Sequence, residues 1–243
     1  MPINPEEIQA LIFDYGNTII EFSHKQVETL NQSLRLLLEE LYGPCDYDRF
    51  CEIRRHQIIA PYATEEFIEN DRKGICIELV RELYGITPND TQVRAMQENK
   101  HNAFIRTVEL PDYIPRVLSS LQQHYKLAFI SNYPCRSTIT GSLEKLGINK
   151  FFEVIVVSGE LGIVKPHPDI FRVCVEKLNL PPEKCIYVGD NWLADIQGAK
   201  RFGMQAVHTV QYVSYENFQP FPGDYQPDAV ITHLNHLIRL LVL

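Results

Sequence analysis

No stretch of the sequence approaches the ~20 consecutive apolar residues that a membrane-spanning helix needs. The opening residues, MPINPEEIQA, lack a basic segment leading into an apolar one, so nothing there reads as a signal peptide. The six cysteines (Cys45, Cys51, Cys76, Cys135, Cys174 and Cys185) include no CxxC pair, so neither a zinc site nor a disulfide framework is indicated. Positive charge is also short. Lys and Arg number 23 against 31 Asp and Glu, a net charge of -8 that argues against a general nucleic-acid binder, which needs a basic stripe to displace counterions. Small phosphorylated ligands stay allowed, because one lysine and one metal ion reverse the sign locally. Neither internal repeats nor low-complexity tracts occur. The expectation is a soluble, cytoplasmic protein.

What is present is an ordinary globular composition, 45% hydrophobic and 22% charged over 243 residues. That length suits one large domain, or one domain carrying an inserted module. The run Ala10–Phe13 is short, apolar and closed by Asp14-Tyr15-Gly16-Asn17-Thr18, which predicts a buried strand. From Ser23 the pattern turns helical, with Val27, Leu30, Leu34, Leu37 and Leu41 on one face. Ser23 and Gln26 suit a capping box, and Gly43-Pro44 stops that helix. Helices are further predicted over Tyr47–Ile59, Glu65–Tyr84 and Pro88–Arg106, with no strand between about Glu21 and Val108.

After Pro111 helices and strands alternate. Helix Ile114–His124 precedes strand Leu127–Ile130; helix Ser137–Leu146 precedes Val154–Val157; helix Asp169–Leu178 precedes Ile186–Val188. Helix Ala194–Phe202 leads to Ala206-Val207, and Ala229–Ile231 precedes a last helix from Asn235. Tyr212–Gln226, aromatic and proline-rich, reads as a loop that either covers apolar surface or supports a dimer contact. The fold class expected is a doubly wound, mainly parallel Rossmann-like α/β sheet with an α-helical insertion. Residues 1–20 and 109–243 form its core and 21–108 the inserted helical module.

Ligands of such sheets bind beyond the carboxyl ends of the strands. Asp14, Ser131-Asn132, Lys165 and Asp190 all fall at those ends, with Asp195 five residues past Asp190. Carboxylates gathered in one pocket repel unless protonated or bridged by a cation. Oxygen ligands without His or Cys suit Mg²⁺.

Asp14-x-x-x-Thr18, Ser131, Lys165-Pro166 and Gly189-Asp190-x-x-x-x-Asp195 resemble, in order, the four motifs of the haloacid dehalogenase superfamily. Ser158–Phe171 and Gly189–Ala199 are especially similar to it. The resemblance covers about Leu11–Ile20 and Leu110–Leu243, and the insertion matches only in position and helicity. It implies a Mg²⁺-dependent phosphatase of a small phosphorylated metabolite, with a cap closing over the site. Asp14 would be the nucleophile, Lys165 the charge neutraliser, and Thr18, Ser131, Asn132 and Lys165 the phosphate contacts. Asp14, the Gly16 carbonyl, Asp190 and Asp195 would hold or orient the metal. A homodimer is compatible with this reading.

One position departs from the pattern. Family members usually carry a second Asp two residues after the nucleophile, as general acid–base, and here that residue is Gly16. Such a loss typically costs ~10²–10⁴-fold in rate. Three explanations stand open: a leaving group good enough to depart unaided, such as a sugar or aryl phosphate; a proton from His24 or His56; or a fold kept for phosphate binding or regulation after catalysis was lost. A metal-independent 2-haloacid dehalogenase also lacks that Asp. Its first motif, however, places Tyr two residues after the nucleophile rather than one, as Tyr15 stands here, and its fourth tends to lack the equivalent of Asp190. Trp192, beside the metal motif, either packs the following helix or touches substrate.

Overall fold

The computed structural model describes residues 3–212 and 223–242. Six parallel strands form one sheet in the order β3-β2-β1-β4-β5-β6. They are β1 Ala10–Phe13, β2 Lys126–Ser131, β3 Val154–Val157, β4 Cys185–Gly189, β5 Gln205–Thr209 and β6 Ala229–Ile231. Strand β1 is central, its Phe13 paired with Phe129 on one side and Val188 on the other. Its four residues are all fully buried, because helices cover both faces. Leu11 and Phe13 point into one layer with Leu127, Phe129 and Val188, while Ala10 and Ile12 point into the other with Ala128, Ile130 and Tyr187. The chain winds outward from β1 through β2 to β3, then returns to β4 on the opposite flank. The direction of winding therefore reverses between β1 and β4, where the two carboxyl ends leave a crevice.

Four helices follow β1 before the sheet resumes: α1 His24–Tyr42, α2 Tyr47–Ile59, α3 Arg72–Tyr84 and α4 Asp90–Thr107. They close around their own core of Leu34, Leu38, Phe50, Leu79, Val80 and Met96. The leucine face of α1 thus packs inside the insert. Each helix start is locally specified. Ser23 N–H donates to Gln26 Oε1 at 3.0 Å, and Asn89 and Gln92 satisfy each other's backbone reciprocally. Helix α3 starts at Arg72, seven residues later than the apolar pattern predicts. Phe67 sits at φ 49°, outside the right-handed helical region, and Asp71 accepts from Lys73 N and Gly74 N as an N-cap. Likewise α4 starts at Asp90 rather than Pro88, because Asn89 takes the N-cap.

The remaining helices are α5 Ile114–Gln122, α6 Arg136–Lys145, α7 Ser158–Leu161, α8 Pro168–Leu178, α9 Gly198–Arg201 and α10 His236–Leu241. The helix expected over Ala194–Phe202 is instead a wide, π-type turn at Trp192–Gln197 that tightens into α9. Of the expected loop Tyr212–Gln226, residues 213–222 lie outside the described residues. Among the described residues no helix is long and apolar enough to cross a membrane.

Candidate active site

Asp14 leaves β1 with its backbone N–H still bonded to Val188 O at 2.9 Å, so the strand ladder fixes its position. Tyr15 turns the other way, into the core, where its hydroxyl meets Ser142 Oγ at 2.7 Å and its ring packs edge-on against Phe129. That anchor directs the next residues back toward the crevice. Asn17 adopts φ 54°, a left-handed conformation that Asn tolerates, and its Oδ1 accepts from Phe22 N at 2.9 Å. Thr18 is fully buried, and its Oγ1 has no hydrogen-bond partner among the described residues.

Lys165 reaches the same crevice from the loop after α7. Asn132, just past β2, holds its main chain at two points: Lys165 N donates to Asn132 Oδ1 at 2.8 Å, and Asn132 Nδ2 donates to Lys165 O at 3.0 Å. The Lys165 side chain is 2% exposed, and its ammonium lies 2.6 Å from Asp14 Oδ1, 2.7 Å from Asp195 Oδ1 and 2.7 Å from the Tyr187 hydroxyl. Burial works against the charge on Lys165, but Asp14 and Asp195 outweigh it and hold the ammonium above its ordinary pKa.

Asp195 is bent back onto β4 by the wide turn, and its Oδ2 accepts from Asn191 N at 2.9 Å. Only glycine fits beneath it. A Cβ at Gly189 would stand 2.4 Å from the Asp195 carboxylate, which explains why the strand ends Gly189-Asp190. Asp190 lies between these groups, with its backbone carbonyl accepting from His208 Nε2 at 3.0 Å. Carboxylate oxygens of Asp14, Asp190 and Asp195 approach within 4.8 Å of one another.

The electrostatics follow from that crowding. Burial, offset by Lys165 and aided by Asp195, lifts Asp14 to about 6, so its carboxylate is mostly ionised at neutral pH. Burial together with the Asp14 and Asp195 charges lifts Asp190 to about 8. Three carboxylates facing one lysine leave an excess of negative charge that Asp190 answers by taking a proton. A divalent cation would answer it instead, and an all-oxygen donor set fits Mg²⁺. Asp195 already uses both oxygens, on Lys165 and on Asn191 N, which suits an outer, orienting role.

Ser131, 5% exposed, ends β2 beside this group, paired in register with Val157. Asn132 is at the crevice too, but its side-chain amide is engaged by Lys165 and by the Tyr62 hydroxyl at 2.9 Å, which leaves backbone N–H as its means of holding a phosphate. His24 and His56 are exposed on α1 and α2, influencing Glu28 and Glu52 rather than the crevice. The Trp192 indole donates to Asp224 Oδ2 at 2.8 Å. Two contributors escaped the motif reading, Tyr187 and His208. Tyr187 is a polar side chain inside an otherwise apolar strand, and that mismatch was the available signal; the mixed sequence of β5 offered none for His208.

A cavity of about 370 Å³ opens between the insert and the core, with Phe22, Leu30, Arg54, Tyr62, Lys100 and Asn132 in its wall. It meets the crevice at Asn132 and at Val164, next to Lys165.

Comparison with known proteins agrees with this geometry. A family model described as haloacid dehalogenase-like hydrolase matches residues 11–209. The glyceraldehyde 3-phosphate phosphatase of Methanopyrus kandleri is 27% identical over 237 residues, covering 96% of this chain and 97% of that protein. The N-acylneuraminate-9-phosphatase of Mus musculus is 25% identical over 238 residues, covering 96% and 94%. Among solved structures, a HAD-hydrolase of Bacillus subtilis bound to magnesium superposes with TM-score 0.70 at 22% identity, over 97% of this chain and 99% of that one.

Proposed function

Since the chain belongs to the haloacid dehalogenase-like hydrolases, we propose that it is a Mg²⁺-dependent phosphatase of a small phosphate ester, working through an aspartyl-phosphate on Asp14. The observation that carries this reading is Asp14 held ionised by a buried lysine, with Asp190 and Asp195 beside it, at the reversal point of the sheet. Phosphatases among its relatives support it.

The steps divide as follows. A carboxylate oxygen of Asp14 attacks phosphorus, the P–O bond to the leaving group breaks, and the alkoxide or phenoxide departs with the electron pair. Lys165 neutralises charge on Asp14 and on the transferring phosphoryl group. Thr18, Ser131 and the N–H groups around Asn132 hold phosphoryl oxygens, and the unpartnered Thr18 hydroxyl suits that role. Bound Mg²⁺, held by Asp14, Asp190 and the Gly16 carbonyl, would supply charge neutralisation at the phosphoryl oxygens. Water then attacks phosphorus, breaking the P–O bond to Asp14, releasing phosphate and restoring the carboxylate.

Gly16 leaves no side chain to protonate the departing oxygen, and both histidines considered for that task lie on the exposed surface. The substrate is therefore one whose leaving group departs without a general acid. The presence of Asp190 in the cluster disfavours metal-independent dehalogenation.

The test is Mg²⁺-dependent phosphate release from aryl, sugar-1- and primary alkyl phosphates, with Asp14→Asn alongside. Release confined to good leaving groups and absent in the variant is expected. Undiminished release by Asp14→Asn would overturn the mechanism, and no release from any substrate would leave a phosphate-binding protein.

A further inference from the structure

The cavity beneath the insert holds two cations that the chemistry at Asp14 does not use. Arg54 projects from α2 and Lys100 from α4, both into its wall. Neither has a carboxylate within ion-pair distance among the described residues. Arg54 donates from one terminal nitrogen to Gln57 Oε1 at 2.8 Å, while its Nε is buried with no partner. Lys100 makes no side-chain hydrogen bond among those found in the described residues. Arg54 and Arg72 also repel it, and burial with that repulsion pushes its pKa down to about 7. The carboxylate of the cavity, Glu69, is turned away toward the Ser158 hydroxyl and Asn70 N–H.

Two partly desolvated cations that form no ion pair among the described residues are costly in a folded protein. An anion entering the cavity would remove that cost; among the described carboxylates lining it, Glu69 offsets Lys100 only at a distance, without forming an ion pair. Their position also matters. Among the described residues Arg54 and Lys100 form no hydrogen bond or ion pair with Lys165 or Asp14, so they stand apart from the group that grips the reacting phosphate. Val27, Leu30, Leu34 and Ile75 line the space with apolar surface. A ligand that fills it needs a phosphate at the Asn132 end, an aliphatic or ring body, and a second negative group deeper in.

We propose that Arg54 and Lys100 form a second anion subsite, so that the preferred substrate is a phosphate monoester carrying a distal carboxylate or second phosphate. This rests on the phosphatase reading for the reacting end of the molecule. Its binding end stands on the cavity alone. At about 370 Å³ the space is at the small end of ligand pockets, suited to a metabolite rather than a nucleotide or peptide.

Matched pairs with good leaving groups test the proposal: 4-carboxyphenyl phosphate against phenyl phosphate, and glucuronic acid 1-phosphate against glucose 1-phosphate. Each pair differs in its distal carboxylate. With Mg²⁺ present, kcat/KM should favour the acid about tenfold or more in at least one pair. Lys100→Met and Arg54→Met should each lower that ratio about tenfold, mainly through KM for the acid. Lys100→Met carries the test should loss of the Gln57 bond disturb folding in the arginine variant. A wild-type ratio near one in both pairs would overturn the proposal. So would variants that weaken acid and neutral substrates by the same factor, since the cations would then be serving the reacting phosphate. If the wild type releases no phosphate at all, the phosphatase reading fails by itself. Calorimetric titration of the same four compounds against Asp14→Asn then decides the subsite: tighter binding of an acid, lost in Lys100→Met, sustains it, and equal binding ends it.

Discussion

Replacing Gly16 by Asp restores a carboxyl group where the crevice lacks one, and the local geometry says what that costs. Gly16 is outside the left-handed region, so an L side chain meets no backbone strain. Its Cβ would stand 3.3 Å from Phe22 Cβ and 3.8 Å from Phe22 Cγ. Phe22 must retreat by a few tenths of an ångström against Phe104, whose ring centroid is 5.3 Å away. Phe22 is only partly buried, so a stability loss of about 1 kcal/mol is expected, a fall of roughly 2–4 °C in Tm. The added carboxyl also joins a crowded set of acids, which raises its pKa and favours the protonated, donating form. General acid–base assistance is worth ~10²–10⁴-fold, or roughly 3–5 kcal/mol of barrier. Turnover of primary alkyl phosphates should therefore rise at least about a hundredfold, while p-nitrophenyl phosphate, whose phenolate leaves unaided, changes by only a few fold. The assay is initial-rate phosphate release with saturating Mg²⁺ on variant protein whose circular dichroism matches wild type. A folded variant without any gain on alkyl esters would refute the idea that the missing acid limits the reaction.

Other perturbations have equally definite outcomes. Lys165→Met strands the buried Asp14 and Asp195 carboxylates, which should cost about 3–5 kcal/mol and about 10 °C in Tm measured in EDTA; a fall under 2 °C would show that the pair is not stabilised by this lysine. Asp14 and Asp190 have folded pKa values above their unfolded ones, so their contribution is fully present below about pH 4 and is lost as pH rises through about 6 and about 8. Mg²⁺ would bind the ionised forms, so its Tm increment should be larger at pH 8 than at pH 5; differential scanning fluorimetry at both values checks this, and equal increments would contradict it. Lys100 has the opposite sign. Its folded pKa, about 7, lies below the ordinary lysine value, so it destabilises the ligand-free protein below that pH and progressively less toward pH 10. Lys100→Met should raise Tm by a few degrees at pH 6, with the gain shrinking at pH 9; a variant less stable than wild type at pH 6 would count against a charged, uncompensated Lys100.

Much of this arrangement was legible beforehand because it is written in short, local code. A buried parallel strand is a short apolar run with a polar stop, and Ala10–Phe13 before Asp14 shows both. Residues after such stops converge because sheet topology brings strand ends together, so Asp14, Lys165 and Asp190 could be grouped from order alone. What escaped depended on contacts distant in sequence. The apolar spacing over 65–84 is helical, yet the first part is drawn out against the core: Glu69 N donates to Gly162 O at 2.9 Å and Val164 N to Phe67 O at 2.8 Å. Tyr187 lies within the strand expected over Ile186–Val188, and only the arrival of Lys165 from 22 residues away gives its hydroxyl a task. Nothing in the sequence sets Arg54 and Lys100 apart from other helix cations; only the cavity between insert and core does so.

The lacing of residues 62–70 onto the loop that carries Lys165 has a consequence for how this protein can change over generations. Tyr62 reaches Asn132, Glu69 reaches Ser158, and Ile68 bridges Ile163, so the same short stretch seats the insert and braces the loop that delivers the lysine. Helix α4 is fastened separately, its last carbonyls at Ile105 and Arg106 capped by Lys145 from α6 and its His101 bonded to Thr138. Substitutions facing the cavity from α2 or from the middle of α4 can therefore alter what is bound without loosening the lysine. Changes along 62–70 cannot be so confined. Selectivity is free to drift on the helices, while the seam between insert and core must be inherited nearly intact.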